Sequence, residues 1–515
     1  MQLNGETLIH LRGTTEAGEP ILAIYHLTAK VISRARGQSM TAAAAYRSGS
    51  ILRDEHYGLT HNYTRRRDIV HSEIMSPADA PSWVSDREIL WNRVEAGERR
   101  KDSQLARAID ISLPVELSDS QSIELLRDYI RQEFVSKGMI ADFCIRRNTP
   151  DNPYAHILLT LRQATPSGFG PKMRQWNRKS DLLEWRAAWA ERANQHLARA
   201  GHAVRIDHRT LEAQQIELTP ARKMGVGRGR QGGEALPDHL QQRLAEQHRI
   251  ANDNGEMILS DPSVALRALC NQRPTFTHRE LVQFLESRTG SAEQRDAALA
   301  AIMGSFELAA LPLDGPLLDG ERPPRFTSRD LLEAEKSLLR RVAAMRGRRG
   351  HGLPLQPRGT EPLHDRLSEQ QHAVLEYLVA EGDFKAVAAA VGSMGELLAA
   401  ARRLWESRGF KVIGVALSRI AAERLQAESG ILSLTLAAQE DQWKAGGDLC
   451  SASHVLVVEG AEMIGLKQLE RTLAVADKAR AKAVLVGDAR QLEAMGSLSP
   501  LRGILDGVGL PAPGP

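Results

Sequence analysis

The chain has 515 residues, of which 42% are hydrophobic and 25% are charged, and its formal net charge is +3. These values are typical of globular proteins, so they exclude a wholly disordered chain, and the length is sufficient for about three domains. No apolar run reaches the roughly 18 residues of a membrane span, and the N-terminus has no signal-peptide pattern. The widely spaced cysteines Cys144, Cys270 and Cys450 indicate neither a disulfide framework nor a zinc ribbon. We therefore expect a cytoplasmic protein without membrane insertion.

Arginines are clustered although the net charge is small. The sequence pI is about 8.7, and basic runs occur at 65–67, 99–101, 146–147 and 346–349. A lysine or arginine placed on a phosphate releases a condensed counterion, so such runs suit a polyanion. Any single run is equally compatible with a solvated helix face or a linker, and only the set of runs favours a polyanionic partner.

The first predicted elements are a strand and a helix. Residues 1–20 are polar and contain several glycines, which indicates a loose N-terminal extension. The apolar segment Ile21–Leu27 predicts a strand, and the alanine-rich segment Ser39–Ser48 predicts a helix that holds Tyr46.

A hairpin and a second helix are predicted further along the chain. Strand patterns occur in three segments, 108–113, 141–146 and 155–161. The helix predicted for Ser118–Lys137 has Ser118 as its N-cap, Gln121 in a capping box and Gly138 at its end. Residues 148–153 form a turn-rich loop, so the two later strands are predicted to pair as an antiparallel hairpin. Intermixed strands and helices favour an α+β sandwich.

Glycine-rich segments divide the rest of the chain. A helix predicted for Asp181–Ala200 precedes the glycine-rich segment 225–233, which has the composition of a flexible boundary. Helical patterns then dominate to about residue 349, and the remainder alternates apolar strands with alanine-rich helices. The predicted organisation is an N-terminal extension (1–20), a first domain (21–225), a glycine-rich linker (226–235), a helical connecting domain (236–346), a second linker (347–362) and a last domain (363–515).

Three short motifs surround Tyr46, namely Ile24–Lys30, Gly37–Ser39 and Ala42–Tyr46. Together they resemble the first motif of the MobA/MobL relaxases, plasmid DNA-processing enzymes in which a helix-borne tyrosine is the nucleophile. Further matching segments follow in chain order at 90–95, 99–107, 113–117, 168–170, 176–177, 185–190 and 205–214. The resemblance covers residues 21–225 and implies an HUH-nuclease-like antiparallel sheet with flanking helices.

Tyr46 is the nucleophile that this resemblance implies. A phenolate can displace the 3′-oxygen of a DNA phosphate and keep the energy of the broken bond in a 5′-phosphotyrosyl link, so no ATP is needed. A helix tyrosine taken alone is more often a core residue with a solvated hydroxyl, and the surrounding motifs decide for the nucleophile. The resemblance also implies single-stranded DNA at an origin of transfer as substrate, with relaxosome and coupling proteins as partners. In the family the first strand lies almost at the N-terminus, so residues 1–20 are either a misassigned start or an added cover.

A divalent cation, Mg²⁺ or Mn²⁺, is implied as well. In HUH nucleases, histidines and acids hold the cation against the scissile phosphate, where it polarises a phosphoryl oxygen. The family strand reads His-x-His, but here Tyr154 stands at the first histidine and only His156 remains, while the upstream histidine corresponds to Arg146. The resemblance leaves His156, Asp110 and Glu116 as metal ligands, and we expect weak binding because guanidinium and neutral phenol are poor ligands.

Arg146 allows a second interpretation of this site. Its guanidinium can clamp phosphate oxygens bidentately and supply the positive charge that the metal otherwise provides. The sequence favours reduced activity over this alternative, and His156 taken alone is compatible with a hydrogen-bonded core histidine. The predicted DNA-binding residues are Arg146, Arg147, Arg99, Arg100 and Lys101.

The last domain resembles the helicase half of longer, TraA-type relaxases, and we expect a degenerate RecA-like α/β domain. Leu367–Gln371 matches the glutamine motif, but Met394 stands at the lysine of the nucleotide loop, so the nucleotide phosphates lose their cation. Glu459 and Gly460 replace the Asp-Glu pair of the metal-binding strand, whereas Val484–Asp488 keeps the sensor motif. Since the chain ends before a second RecA-like domain, we expect a remnant scaffold with no nucleotide-binding residues, no ATP and no helicase activity.

Two functions of different class follow from the sequence. The first is a relaxase that nicks one strand at an origin of transfer through Tyr46 and leads that strand into conjugation. The second is a relative that grips single-stranded DNA through arginines and stacking aromatic side chains without cutting it. The first is favoured, with activity below that of a relative whose metal cluster is intact. A third function, an ATP-driven helicase, is contradicted by Met394 and Gly460.

Overall fold

The computed structural model describes residues 25–148, 152–202, 204–214, 216–220, 238–311, 324–353, 367–389, 394–446, 451–495 and 500–508. The chain divides into two compact units, one formed by Met1–Leu197 with Val204–Gln214 and the other by Ala198–Ala203 with Gln215–Pro515. The predicted N-terminal extension, the glycine-rich linker and the middle of the predicted nucleotide loop lie outside the described residues.

The first unit is built on a five-stranded sheet with the order β1-β5-β7-β6-β4, in which every neighbouring pair is antiparallel. The predicted hairpin between 141–146 and 155–161 is confirmed as β6 and β7. Two further hairpins, β2–β3 and β8–β9, form separate two-stranded sheets. The described strands are β1 (Leu27–Ser33), β2 (Ile51–Asp54), β3 (Leu59–Asn62), β4 (Ile69–Met75), β5 (Gln104–Ser112), β6 (Ala141–Arg147), β7 (Pro153–Thr160), β8 (Arg162–Thr165) and β9 (Gly168–Lys172).

The first described strand begins at the last residue of the predicted segment Ile21–Leu27. Residues 21–24 lie outside the described residues, Tyr25 and His26 are not part of a strand, and the strand runs over Leu27–Ser33. Its register on β5 is set by the pairs Leu27–Ile111 to Ile32–Ala106. Only Leu27 and Ile32 of this strand are buried and Lys30 is exposed, so its apolar pattern is weak and the sequence did not predict its extension to Ser33.

Helices cover the sheet of the first unit: α1 (Met40–Ser48), α2 (Arg87–Ala96), α3 (Asp119–Glu133) and α4 (Lys179–Arg199). The capping box predicted at Ser118 and Gln121 is confirmed, with reciprocal bonds of 3.3 and 2.9 Å. The α-helix ends at Glu133, and a 3-10 turn, Val135–Lys137, continues to Gly138, whose φ of +91° ends the helical segment where the sequence predicts. Phe134 separates the two, and its ring is buried against Tyr129 and Trp185.

The second unit begins with helices, in the segment where the sequence predicts them, and with a small sheet that the sequence did not predict. The helices are α5 (Asp238–Ser260), α6 (Pro262–Gln272), α7 (His278–Glu286), α8 (Ala292–Met303) and α9 (Arg329–Arg346). The antiparallel sheet has the order β10-β12-β11, with β10 (Phe276–Thr277), β11 (Leu308–Ala310) and β12 (Arg325–Ser328). Strands of two to four residues are too short to show a two-residue alternation.

A parallel sheet with the order β13-β17-β16-β14-β15 forms the rest of the second unit. Its strands are β13 (Phe384–Ala389), β14 (Lys411–Ala416), β15 (Leu432–Thr435), β16 (His454–Glu459) and β17 (Lys482–Asp488). The described helices around it are α10 (Glu369–Val379), α11 (Met394–Ser407), α12 (Arg419–Ser429), α13 (Leu436–Lys444), α14 (Leu466–Lys478), α15 (Ala489–Met495) and α16 (Pro500–Val508). Continuous apolar runs such as Val455–Val458 are fully buried, as expected of strands covered on both faces.

The mixed fold class predicted from the sequence is confirmed: an antiparallel sheet with flanking helices, a helical segment and an α/β part with a parallel sheet. Helix α9 packs against α14, where Arg341 pairs with Asp477 at 2.7 Å and with Glu470 at 3.1 Å. Among the helices of the described residues, none combines the length and apolar composition that crossing a bilayer requires.

Candidate active site

Helix α1 presents Tyr46 at the sheet of the first unit. The helix begins where the Ser39 hydroxyl accepts a bond from Ala42 N at 3.0 Å, and it ends at Gly49, whose φ of +66° favours glycine. Small residues let it lie close to the sheet, with Ala44 and Ala45 fully buried. The next side chain, Tyr46, is 37% exposed, so its phenol is accessible to a ligand.

Aromatic and cationic side chains surround the Tyr46 ring. The Tyr63 ring packs edge-on at 5.3 Å between centroids. The guanidinium carbon of Arg66 lies 4.2 Å from the Tyr46 centroid, and that of Arg146 lies 5.5 Å from it. The two arginines come from different elements, Arg66 from the loop before β4 and Arg146 from β6. Two positive charges therefore lie near the ring.

Asp68 joins these two arginines. Its carboxylate accepts two bonds from Arg66, at 3.1 and 2.9 Å, and Arg146 Nε donates to Oδ2 at 2.7 Å. The Asp68 carbonyl accepts from Arg147 N at 2.9 Å, which ties the loop to β6. Burial lowers the pKa of Arg66, but bonds to Tyr46 and Asp68 outweigh it and raise the pKa above its ordinary value. Both guanidiniums are therefore charged and fixed in place.

His156 and Asp110 face each other across β7 and β5, as their register requires. Their Nδ1 and Oδ1 atoms are 2.5 Å apart, and Lys30 Nζ lies 3.7 Å from the other carboxylate oxygen. Burial raises the pKa of Asp110, but the hydrogen bond and charge of His156, with Arg47 and Lys30, bring it below its ordinary value. Since Nδ1 is paired with Asp110, Nε2 is the ring nitrogen of His156 that faces away from this carboxylate.

Arg146 occupies the Nε2 side of His156. Arg146 Nη1 lies 3.4 Å from His156 Nε2, and only 6% of the Arg146 side chain is exposed. Within the described parts of the chain, no three His, Cys, Asp or Glu side chains are arranged to hold a metal ion. The expected set of His156, Asp110 and Glu116 is therefore not assembled. Glu116 lies in the turn after β5, six residues beyond Asp110.

Charge also opposes a metal ion at this position. Two unit charges 4 Å apart repel by about 4 kcal/mol at an effective dielectric constant of 20, and a dication roughly doubles that energy. One imidazole and one carboxylate, the latter already bonded to His156 and near Lys30, offer little to offset it. The residues present do not fit a divalent cation next to a charged Arg146.

Tyr154 does not replace the missing histidine as a ligand. Its hydroxyl accepts a bond from Asn148 Nδ2 at 2.9 Å, and its ring packs edge-on against His156 at 5.2 Å. Burial raises the pKa of Tyr154 to about 12, with Asp68 and Tyr46 acting in the same direction. The phenol is therefore neutral at physiological pH, and a neutral phenol is a weak ligand.

The other predicted DNA-binding residues do not belong to the arginine pair near Tyr46. Arg147, the neighbour of Arg146 on β6, pairs with Asp119 of α3 at 2.7 Å. Arg99, Arg100 and Lys101 lie on an exposed turn between α2 and β5, where Arg100 pairs with Asp102 at 2.9 Å. Of the predicted site residues, the structure brings Tyr46, Arg146, His156 and Asp110 into one contact network.

Sequence reasoning missed Arg66, Asp68 and Arg47 as members of this site. Arg66 was noticed only within a basic run, and Asp68 follows that run directly. Arg47 is next to Tyr46 on α1, its charge lowers the pKa of Asp110, and its Nε is buried without a hydrogen-bond partner. An acid that directly follows an arginine run is a weak local signal of such a network. The sequence around Arg47 contains no comparable signal.

The α/β part of the second unit has the substitutions expected in its nucleotide motifs. Met394 begins α11, and Glu459 at the end of β16 pairs with Arg424 at 2.6 Å. Burial raises the pKa of Glu459 despite that arginine. Gly460 has φ of +70°, a left-handed conformation in which a carboxylate-bearing residue would be strained. The segment 390–393 of the predicted nucleotide loop is not among the described residues.

A tyrosine on a helix over an antiparallel sheet, with a histidine–acid pair on that sheet, is the arrangement expected of a relaxase. Comparison with known proteins agrees with this class. The model of the MobA/MobL family matches residues 38–231, and that of an AAA domain matches residues 366–510. Mobilization protein MobL of Acidithiobacillus ferridurans is 35% identical over 283 residues, which are 48% of this chain and 74% of that protein. The chain belongs to the MobA/MobL family of mobilisation relaxases.

Longer relatives match nearly the whole chain. Conjugal transfer protein TraA of Rhizobium radiobacter is 33% identical over 531 residues, which are 95% of this chain and 48% of that protein. The chain thus spans about half the length of these TraA relatives. Among solved structures, a chain from a study of the molecular basis of vancomycin-resistance transfer in Staphylococcus aureus is 37% identical, with 36% of this chain and all of that chain covered and a TM-score of 0.35.

Proposed function

We propose that this protein is a relaxase that nicks one DNA strand at an origin of transfer by transesterification on Tyr46. The observation that carries the proposal is the position of the Tyr46 phenol, which is 37% exposed and flanked by the guanidiniums of Arg66 and Arg146. Two cationic donors next to a nucleophile suit a phosphodiester, because they neutralise the charge that builds up on its oxygens during displacement.

The proposed step balances without an energy source. The Tyr46 oxygen forms a bond to phosphorus as the bond from phosphorus to the 3′-oxygen breaks. The phenol proton is released and the departing 3′-oxygen takes up a proton, which leaves a free 3′-hydroxyl and a 5′-phosphotyrosyl link. Reversal by an incoming 3′-hydroxyl closes the strand again, as strand transfer in conjugation requires. Relaxosome and coupling proteins are the partners we propose for this role.

A covalent adduct tests this function. The full chain is incubated with single-stranded DNA that has a randomised core and a fluorescent 3′ end, in the presence of Mn²⁺ or Mg²⁺, and denaturing gels are read for labelled protein. We expect an adduct that Tyr46→Phe abolishes. Tyr57→Phe is the matched control, because Tyr57 is also surface-exposed, at 43%, and it should retain the adduct. An adduct that persists in Tyr46→Phe would show that another residue is the nucleophile.

A second candidate is a protein that binds origin DNA without cutting it. The observation in its favour is the incomplete set of metal ligands among the described residues, since the family's metal polarises the scissile phosphate. In this case the DNA would be shifted on a native gel and labelled protein would be missing from the denaturing gel. The same DNA library therefore distinguishes the two candidates.

A further inference from the structure

We propose that Arg146 and Arg66 hold the scissile phosphate in place of a divalent metal ion, so that strand transfer by Tyr46 proceeds without one. This inference rests on the proposed function and gives it a different catalytic apparatus. The side chains around His156 suit a fixed guanidinium better than a divalent metal ion.

Arg146 is held in the orientation that this task needs. Its Nε donates to Asp68 at 2.7 Å, its Nη1 faces His156 Nε2 at 3.4 Å, and 6% of its side chain is exposed. Its guanidinium carbon lies 5.5 Å from the Tyr46 ring and 5.3 Å from the Tyr154 ring. Contacts on several sides fix the rotamer, so no reorganisation is needed when a phosphate arrives.

Arg66 supplies the second cation, and it donates to the same carboxylate as Arg146. It donates through Nε and Nη2 to Asp68, and its guanidinium carbon lies 4.2 Å from the Tyr46 ring. Among the described residues that bond to these two guanidiniums, Asp68 is a single carboxylate and cannot neutralise both charges. Arg47, next to Tyr46 on α1, donates through Nη1 to the Ala43 carbonyl at 3.1 Å and is a further cation of this helix. A phosphodiester provides the missing anion.

A guanidinium can supply the effects that a metal ion would supply in this reaction. A metal ion at a phosphate polarises an oxygen and stabilises the charge of the transition state, and it can also lower the pKa of bound water. The last effect is unnecessary here because the nucleophile is Tyr46 rather than water. Fixed N–H donors of arginine provide the first two effects through charge-assisted bonds to phosphate oxygens. The bonds formed and broken are those of the step given above.

The test measures adduct formation by the unmodified full chain with metal-free buffer and excess EDTA, in parallel with Mn²⁺ and with Mg²⁺. The probe is the 3′-labelled single-stranded DNA with a randomised core. We expect adduct rates in EDTA within about twofold of those with metal, and none with Tyr46→Phe. Since this comparison uses the unmodified chain, it does not depend on the folding of any arginine variant.

Variants of Arg146 then test whether this arginine supplies the positive charge that adduct formation needs. Arg146→Gln is expected to slow adduct formation by about 10²- to 10³-fold in EDTA, the cost of losing one preorganised donor to a developing negative charge, and Arg146→Lys should fall between Gln and Arg. Arg131→Gln is the matched control, an exposed arginine of α3 that pairs with Asp128. It should leave the rate unchanged.

The outcomes separate this inference from the proposed function. An adduct that forms with Mn²⁺ or Mg²⁺ and disappears in EDTA would overturn the metal-free mechanism while the nicking function stands. An Arg146→Gln variant that is folded and as fast as the unmodified chain would also overturn it. If no adduct forms under any condition, both the nicking function and the mechanism built on it are wrong.

Discussion

Arg146 and Asp68 form an ion pair that joins β6 to the loop before β4, with 2.7 Å between Arg146 Nε and Asp68 Oδ2. Because Arg66 also donates to Asp68, this carboxylate determines where both guanidiniums lie around Tyr46. The residues that form the pair are 78 positions apart in the chain, and β6 and the loop bring them together.

Asp68→Asn should therefore impair the site without weakening attraction to DNA. The amide cannot accept bonds from two charged guanidiniums as a carboxylate does, so both arginines lose their fixed orientation. We expect adduct formation to slow at least about tenfold, since misplaced donors contribute less to transition-state stabilisation. Overall affinity for single-stranded DNA, measured by fluorescence anisotropy, should stay the same or rise because one negative charge is removed.

Asp79→Asn controls for that change of charge. Asp79 is exposed on the turn before α2, so its replacement removes the same negative charge at another surface position. Adduct formation should be unaffected in this variant. Equal slowing in Asp68→Asn and Asp79→Asn would show that net charge, rather than the orientation of the arginines, is responsible.

Arg146→His combined with Tyr154→His should convert the site into one that depends on metal. The pair Arg146–Tyr154 is in register on β6 and β7, two residues from His156, so both new imidazoles would be on the same face of the sheet. Removing the guanidinium also removes the repulsion that opposes a dication. We expect calorimetric titration to show Mn²⁺ binding in the double variant and its adduct formation to become sensitive to EDTA.

His156→Ala in the background of the double variant provides the control, since it removes the remaining imidazole of the set. Mn²⁺ binding should then fall by an order of magnitude or more. Failure of the double variant to bind Mn²⁺ at all would contradict the correspondence of Arg146 and Tyr154 with the family's histidines.

Local sequence was sufficient for some of these elements and insufficient for others. The capping box at Ser118 and the hairpin around residues 148–153 depend on neighbouring residues, and both were predicted correctly. The end of this helical segment at Gly138 was also predicted, whereas the change from α-helix to a 3-10 turn at the buried Phe134 was not. At the site, the helix that holds Tyr46 was predicted, whereas the bonds of Asp68 to Arg146 need a register that no local pattern encodes.

The core of the first unit contains a buried acid on which its stability should depend. Asp142, 5% exposed, accepts two-pronged bonds from Arg87 at 2.9 Å and a bond from Trp91 Nε1 at 2.8 Å. Asp142→Ala leaves a largely buried guanidinium and a fully buried indole N–H without their partner. We expect urea denaturation of the full chain to show a loss of about 3–5 kcal/mol in the free energy of unfolding of this unit.

Asp102→Asn is the comparison for Asp142→Ala. Asp102 pairs with Arg100 on the surface, where the pairing is screened by water, so its loss should leave the unfolding transition unchanged. A loss below about 1 kcal/mol for Asp142→Ala would mean that Arg87 and Trp91 find other partners or water.

The second unit should have a stability minimum near pH 7, because two buried groups titrate there in opposite senses. Burial raises the pKa of Glu462 from 4.5 to about 7, and burial lowers the pKa of Lys482 from 10.5 to about 7, with Lys385 acting in the same direction. The Lys482 side chain is fully buried, and its Nζ donates to the carbonyl of Ala380 at 2.9 Å.

The sign of each pH slope follows from the number of protons bound in the folded and in the unfolded state. Between pH 4.5 and 7 the unfolded chain has ionised Glu462 while the folded chain keeps the proton, so the free energy of unfolding falls as pH rises. Between pH 7 and 10.5 the unfolded chain keeps the Lys482 proton that the folded chain has lost, so the free energy rises with pH. Each group contributes up to about 1.4 kcal/mol per pH unit in its own window.

Denaturant titrations that follow the second unit at intervals from pH 5 to pH 9 measure both limbs of this profile, the fall in the free energy of unfolding below pH 7 and its rise above pH 7. Glu462→Gln should flatten the fall below pH 7 and leave the rise, and Lys482→Met should flatten the rise and leave the fall. Lys411→Met, at a largely exposed lysine that begins β14, should change neither limb. A monotonic profile in the unmodified chain, or a slope above pH 7 that persists in Lys482→Met, would mean that other groups dominate the titration of this unit.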